Sequence, residues 1–191
     1  MSAARIAPAQ PPWPEAVQAS FDRMPQDWMP PFQLFTVLAR DPRLYTAFVR
    51  GAAAYLPGSH LTLRQREVLL LRVTARCGCA YEWGMRVHYF AEQAGLSETQ
   101  QHASVHADAE ADCWTDEDRV LVRLADQLDD ACDVDDALWS DLAERFTPEA
   151  ILELLMLAGY YRTVGVLANS LRLPLEPGVG RPFPPAQAAS T

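Results

Sequence analysis

The sequence predicts an all-α fold of about seven to nine helices with a proline-rich extension at each end. Apolar residues recur at the helical period of about 3.6, capping residues precede most of these segments, and no segment alternates apolar and polar residues as a strand does. Twelve of the fifteen prolines lie in residues 8–31 and 174–185. Because proline interrupts helices, we expect a helical domain over residues 31–173, an N-terminal extension over 1–30 and a C-terminal tail over 174–191.

The first half of the domain divides into four helical segments. The Asp41-Pro42 step separates PFQLFTVLAR from PRLYTAFVRGAAAYL. Thr62–Gln65 has the spacing of a capping box and opens LTLRQREVLLLRVTAR. The Cys77-Gly78 pair interrupts that helix, and CAYEWGMRVHYFAEQA then runs to Gly95, a residue type favoured at helix C-termini.

The second half contains four further helical segments. Ser97 and Gln100 repeat the capping pattern before ETQQHASVHA, and Thr115 precedes DEDRVLVRLADQLDDAC. DDALWSDLAERF makes a short helix. Thr147-Pro148 supplies an N-cap and a proline at the first helical position, which together predict the start of the long apolar helix EAILELLMLAGYYRTVGVLANSL.

The composition argues against several classes of protein. A formal net charge of −9 disfavours nucleic acid or an anionic membrane as a partner, because both require basic surfaces. The N-terminus lacks the apolar stretch of a secretory signal, and apolar runs such as LLMLAGYY are shorter than the roughly 20 residues that cross a bilayer. We therefore expect a cytoplasmic protein whose four cysteines are thiols.

The stretch CGCAYEWGMRVHYF, residues 77–90, holds the densest group of chemically active side chains. On a helix that advances about 100° per residue, Cys79, Glu82 and Arg86 share one face and His88 lies on the opposite one. The tight turn before this helix could also bring Glu67 back towards Cys79. Ionisable groups beside an apolar wall have strongly shifted pKa values, so this face is the candidate site.

Structural roles are the alternative for each of these residues. Glu82 and Arg86 have the i,i+4 spacing of an ordinary surface ion pair, and Cys79 has the size of a small core residue. His102 and His106 have the spacing of helical metal ligands, but we expect them on an exposed face and predict no metal site.

A family resemblance rests on several of these segments. The chain resembles the carboxymuconolactone decarboxylase family, which includes alkyl-hydroperoxidase D (AhpD). The resemblance rests on the pattern Glu-x11-Cys-Ala-Tyr-Glu-Trp over residues 67–83, on the following AEQAGLS, and on the later segments LADQL, FTPEAILELLMLAGYYRTVGVLANSL and LPLEPG. The similarity covers roughly residues 30–178. It implies an AhpD-like all-helical fold that assembles into trimers or hexamers.

The resemblance implies two alternative chemistries, and the chain departs from both. AhpD-type peroxidases resemble Glu-x11-Cys-x2-Cys-x3-His; Glu67 and Cys79 match the first two positions, whereas Glu82 stands at the second cysteine and Arg86 at the histidine. In the decarboxylase branch a glutamate precedes a histidine by four residues. Glu82 matches that glutamate, and Arg86 again replaces the histidine.

We therefore predict a cofactor-independent acid–base enzyme, a decarboxylase, isomerase or related lyase acting on a small carboxylate or lactone. Glu82 is the predicted acid–base and Arg86 the predicted anion clamp. The remaining predicted site residues are Cys79 and Glu67 among the catalytic groups, and Tyr81, Trp83, His88 and Tyr161 in the substrate pocket. The alternatives are an AhpD-like peroxidase centred on a low-pKa Cys79 thiolate and a catalytically silent family member. A closed pocket around Glu82 distinguishes an enzyme from a silent protein.

Overall fold

The computed structural model describes residues 4–55 and 60–186. Within these ranges the chain forms nine α-helices and a short 3₁₀ turn at Gln26–Trp28, with no strand. The helices are α1 Glu15–Phe21, α2 Gln33–Leu38, α3 Pro42–Ala54, α4 Leu63–Arg76, α5 Ala80–Phe90, α6 Glu98–His106, α7 Asp116–Ala131, α8 Asp136–Arg145 and α9 Pro148–Leu171. The predicted all-α class is confirmed. The predicted second helix extends to Leu56, and the predicted extensions include residues 1–3 and 187–191; these positions lie outside the described ranges.

Helix α4 lies at the centre of the fold and packs against α5, α6, α7 and α9. Its N-terminus carries the predicted capping box, in which Thr62 Oγ1 accepts the Gln65 N–H and Gln65 Oε1 accepts the Thr62 N–H. Nine consecutive residues from Arg66 to Thr74 are buried. A helix that is buried all round must pair the polar side chains that it contains, and this requirement explains the ion pairs described below.

A tight turn reverses the chain between α4 and α5. Gly78 adopts a left-handed φ of 62°, and the Cys79 N–H donates to Thr74 O at 2.8 Å. Because the turn is so short, α5 packs back along α4 and brings residues of the two helices face to face. The predicted segment CAYEWGMRVHYFAEQA is longer than the helix it contains: α5 ends at Phe90, and a turn leads to Gly95 at φ 66°.

Helix α9 is the longest element and completes the core. Thr147 Oγ1 caps it by accepting the Ala150 N–H, and Pro148 occupies its first turn as predicted. By length and composition α9 could cross a bilayer. In this structure its buried residues pack against α4, α5 and α8, so it serves as a core helix.

Both proline-rich extensions dock on the helical domain. In the N-terminal segment, Val17 and Phe21 form a second apolar cluster with Ala39 and Tyr45. In the C-terminal segment, the ring of Phe183 packs edge-on against Trp83 at 5.5 Å. A Cβ on Gly84 would overlap the backbone of Arg181, so the close approach of the tail to α5 requires glycine there.

Candidate active site

A cavity of about 100 Å³ lies where α2, α3, α5 and α9 meet the segment around the 3₁₀ turn. Nine of its fifteen lining residues are aromatic, and the only charged ones are Glu82 and Arg86. The lining residues are Trp28, Phe32, Leu34, Phe35, Phe48, Ala52, Tyr81, Glu82, Met85, Arg86, Tyr89, Phe90, Tyr160, Tyr161 and Val164. Such a cavity suits a small, largely apolar molecule with one polar group directed at α5.

A buried ion cluster forms the polar end of the cavity. The Arg86 guanidinium binds the Glu67 carboxylate through two N–H groups, with Nε to Oε2 at 2.7 Å and a second contact from Nη2 to Oε1. Arg66 Nε also donates to Glu67 Oε1, at 2.9 Å. The side chains of Glu67 and Arg86 are only 1% and 4% exposed. Burial alone would lower the pKa of Arg86, but the Glu67 carboxylate raises it above its usual range.

Two aromatic rings pack against the Arg86 guanidinium of this cluster. The guanidinium carbon of Arg86 lies 4.4 Å from the centre of the Phe90 ring and 5.1 Å from that of Tyr161. Stacking of this kind stabilises a guanidinium that has been removed from water. Arg86 is therefore held in one orientation by a carboxylate on one side and by rings on the other.

Glu82 is the carboxyl group that faces the cavity. Its side chain is 16% exposed, and Oε1 lies 3.8 Å from Arg86 Nη1. Burial raises the pKa of Glu82 to about 7; Arg86 opposes this rise, and the nearby Glu67 carboxylate adds to it. Glu67 binds two N–H groups of Arg86, so the Arg86 guanidinium attracts the Glu82 carboxylate only from the longer distance of 3.8 Å. A carboxyl with this pKa exists in both protonation states at neutral pH, as general acid–base work requires.

Tyr161 is the second polar group at this end of the cavity. Arg86 Nη1 donates to the Tyr161 hydroxyl oxygen at 2.8 Å. Burial raises the pKa of Tyr161 to about 12, although the neighbouring Arg86 lowers it. The hydroxyl therefore remains protonated at neutral pH. The adjacent Tyr160 differs, because its hydroxyl donates to the carbonyl oxygen of Phe48 at 2.8 Å.

The thiols lie apart from the cavity. Cys79 is fully buried at the N-cap of α5 and does not line the cavity. The peroxidase alternative requires a low pKa for Cys79, but burial raises it to about 12. The pKa of the half-buried Cys77 is also raised by burial, and both cysteines are free thiols. Since the thiolate is the reactive form, this environment opposes redox chemistry at Cys79.

Two predicted pocket residues lie elsewhere. Trp83 is buried on another face of α5, where its indole N–H donates to Ser104 Oγ at 3.0 Å. His88 is exposed to solvent, because the helical rotation places it opposite Glu82 and Arg86. Neither of these two side chains lines the cavity in this structure. By contrast, Tyr81 and Tyr161 do line the cavity.

The histidine pair on α6 contacts the C-terminal tail. His102 Nε2 lies 3.2 Å from Pro185 O, and His106 Nε2 lies 2.7 Å from Pro184 O. Within residues 4–55 and 60–186, no group of three or more His, Cys, Asp or Glu side chains is arranged to hold a metal ion. Both histidines therefore help to seat the tail.

Most of the cavity wall and several polar contacts were not predicted from the sequence. Arg66 binds Glu67, Trp28 of the N-terminal extension and Phe32 at the start of α2 line the cavity, and Glu176 of the tail binds Tyr81. Glu176 Oε1 also accepts the Gln33 N–H at the start of α2, at 2.5 Å. The aromatic residues of the N-terminal extension were the one sequence signal that this segment contacts the helical domain.

Comparison with known proteins finds a family similarity over part of the chain. Residues 42–127, which include α3 to α6 and most of α7, match the model of the carboxymuconolactone decarboxylase family. No curated protein matches the chain.

Solved structures share the fold of this chain. A peroxidase-related protein from Silicibacter sp. TM1040 is 16% identical with a TM-score of 0.77, covering 96% of this chain and 100% of its own. The debrominase Bmp8 is 14% identical with a TM-score of 0.75, over 90% and 92%. A protein of unknown function from Agrobacterium tumefaciens, proposed to be the antioxidant defence protein AhpD, is 22% identical with a TM-score of 0.65, over 72% and 93%.

Three of the four positions named in the resemblance lie together in the structure. Glu67 and Arg86, which stand at the family's glutamate and histidine positions, are joined by the two-point ion pair. Glu82, at the second cysteine position, faces the cavity beside them. Cys79 remains behind this group at the helix start.

Proposed function

We propose that this carboxymuconolactone decarboxylase family protein is a cofactor-independent acid–base enzyme, a lyase or isomerase of a small carboxylate or lactone. The observation that carries the proposal is a single carboxyl, Glu82, with a pKa near 7 at the wall of an aromatic cavity. A carboxyl group whose pKa is close to the working pH can both accept a proton from the substrate and return it at a small cost in free energy. The pocket around Glu82 also favours an enzyme over a catalytically silent family member.

The proposed chemistry is proton transfer at a carbon next to a carbonyl group. The Glu82 carboxylate takes the proton, the C–H electron pair forms the carbon–carbon double bond of an enolate, and the carbonyl electron pair moves to oxygen. Glu82, now a carboxylic acid, returns the proton at the same or another carbon. In a decarboxylation the acid form instead protonates the carbanion left by departing carbon dioxide. Neither route requires an oxidant or a reductant.

No specific observation favours the peroxidase alternative. A peroxidase cycle needs an accessible thiolate and a resolving thiol, whereas Cys79 is buried with a raised pKa. Its sequence neighbour Cys77 lines a separate cavity on the far side of α9 together with Cys132 and Arg162.

A hydrogen-exchange assay tests the proposal. We expect the protein to accelerate incorporation of deuterium from D₂O, next to the carbonyl group, into members of a panel of small cyclic ketones, enones and lactones, measured by mass spectrometry. Glu82→Gln should lower this rate at least about 100-fold, because the amide cannot accept the proton. Cys79→Ser, which removes a thiol outside the cavity, should retain the rate. Retention in Glu82→Gln, or loss confined to Cys79→Ser, would exclude Glu82 as the acid–base.

We also propose that the chain self-associates, as expected from the family. Leu152, Met156 and Val166 are 63%, 57% and 59% exposed on one side of α9. With the exposed Gly159 and Thr163 they follow the alternating 4- and 3-residue spacing of a helix–helix seam. The small residues on this stripe allow close approach of a second helix.

Light scattering coupled to size-exclusion chromatography tests this interface. The wild type should run as a trimer or hexamer, and Met156→Glu should shift it towards the monomer because a charge on the seam must be desolvated. Leu44→Glu is the matched control, since Leu44 is an exposed apolar residue on α3 away from the stripe. A monomeric wild type, or an equal effect of both variants, would contradict the proposal.

A further inference from the structure

We propose that the Tyr161 hydroxyl is the donor that binds the substrate's carbonyl oxygen, and that the substrate is an uncharged carbonyl compound with an apolar body, such as a ketone, enone or lactone. This inference rests on the proposed acid–base function and narrows its substrate class from carboxylates and lactones to uncharged carbonyl compounds. It therefore retains the proton-transfer route and sets aside the decarboxylation of a free carboxylate. It assigns Arg86 a different task from the anion clamp predicted from the sequence.

The hydrogen bonds of Arg86 leave little capacity for an anionic ligand. Nε and Nη2 bind Glu67, and Nη1 binds the Tyr161 oxygen while facing Glu82 at 3.8 Å. The cluster of Arg66, Arg86, Glu67 and Glu82 is neutral when Glu82 is ionised. Beside ionised Glu82, a substrate carboxylate would add an uncompensated negative charge to a buried site, which is strongly unfavourable. Among the described residues, no other charged side chain lines the cavity.

The Tyr161 hydroxyl has an unused donor. Its oxygen accepts a hydrogen bond from Arg86, and no acceptor for its own O–H is found among the described residues. The residue is buried and lines the cavity, so a ligand there is the available acceptor. Tyr160 cannot play this role, because its O–H already donates to Phe48.

Tyr161 and Glu82 are placed to act on the same molecule. The Tyr161 oxygen and Glu82 Oε1 both lie beside Arg86 Nη1, so a carbonyl oxygen at the hydroxyl brings its neighbouring carbon towards the carboxylate. Contact with the guanidinium polarises the O–H and makes it a stronger donor. As the proton leaves carbon, negative charge develops on the carbonyl oxygen, where a fixed donor in a site shielded from water is most effective. Tyr161 is therefore a catalytic residue, and Glu67 and Arg86 are positioning residues.

Carbonyl-labelled acetophenone is a suitable probe because it is uncharged, planar and largely apolar. We expect its ¹³C carbonyl resonance to move downfield on binding to the wild type, as it does when a carbonyl accepts a hydrogen bond. Tyr161→Phe should abolish this shift and raise the dissociation constant about tenfold, the value of one hydrogen bond. Replacing Tyr161 with 3-fluorotyrosine, a more acidic phenol that preserves packing, should enlarge the shift.

Two controls test whether the shift depends on the Tyr161 hydroxyl in particular and whether the site prefers an uncharged ligand. Tyr45→Phe removes a buried hydroxyl from the N-terminal cluster, where it donates to Ser20, and should leave the shift unchanged. Benzoate, the charged analogue, should bind at least tenfold more weakly than acetophenone at pH 8. Absence of a shift in the wild type, a shift retained in Tyr161→Phe, or tighter binding of benzoate would overturn the proposal. A shift retained in Glu82→Gln supports Tyr161 even if the exchange assay shows that Glu82 transfers no proton.

Discussion

Glu67→Gln lowers the free energy of unfolding by about 3–5 kcal/mol, the usual cost of removing one partner from a buried ion pair. Glu67 is fully buried and binds both Arg66 and Arg86. The amide retains the size of the carboxyl but leaves two largely buried guanidinium groups without their shared counter-ion. Urea unfolding followed by circular dichroism measures the change.

The matched control for this substitution is Asp141→Asn. Asp141 pairs with Arg123 at 3.0 Å, but the two side chains are 34% and 41% exposed. Exposed pairs contribute about 0–1 kcal/mol, so Asp141→Asn should have a correspondingly small effect. Equal losses in the two variants would show that the buried cluster is not the stabilising feature inferred here. A second consequence concerns Glu82: without Glu67, Arg86 is free to pair with Glu82, and the pKa of Glu82 should fall.

Glu82→Gln changes the pH dependence of stability by about 3 kcal/mol. The pKa of Glu82 is raised from 4.5 to about 7 in the folded protein, so between these values the folded state binds more protons than the unfolded state. The stability from this protonation is complete below about pH 4.5 and is lost as pH rises through 7. At about 1.36 kcal/mol per pKa unit, the wild type should lose about 3 kcal/mol relative to Glu82→Gln between pH 4.5 and pH 8.5.

Urea unfolding of both proteins at several pH values between these limits measures this difference. Glu144→Gln provides the control, because Glu144 is a glutamate on α8 whose side chain is 75% exposed. Its stability should stay within about 0.5 kcal/mol of the wild type throughout. A constant difference between Glu82→Gln and the wild type across the range would mean that Glu82 titrates alike in the folded and unfolded states.

The fold was predictable because its signals are local. The capping box at Thr62, the Thr147-Pro148 start of α9 and the break at Gly78 each depend on a few neighbouring residues. Helical rotation also placed Glu82 and Arg86 together and His88 on the opposite face. The same rotation leaves His88 exposed to solvent, away from the cavity.

The chemistry of the site was less predictable because it depends on contacts between distant segments. Nothing local to Arg86 indicates that its guanidinium binds Glu67 on α4 rather than a ligand. The burial that raises the pKa of Cys79 comes from packing by other helices. Likewise, Trp28 reaches the cavity from a proline-rich extension whose sequence does not specify where it docks.

The most direct test of the central claim is a titration of the Glu82 carboxyl itself. The protein is labelled with ¹³C at the glutamate carboxyl carbons, and the Glu82 resonance is assigned by its absence from Glu82→Gln. Its chemical shift is then followed from pH 4 to pH 9. A midpoint near pH 7 is the predicted result. A midpoint near pH 4.5, the ordinary value for glutamate, would contradict the assignment of Glu82 as the acid–base of this cavity.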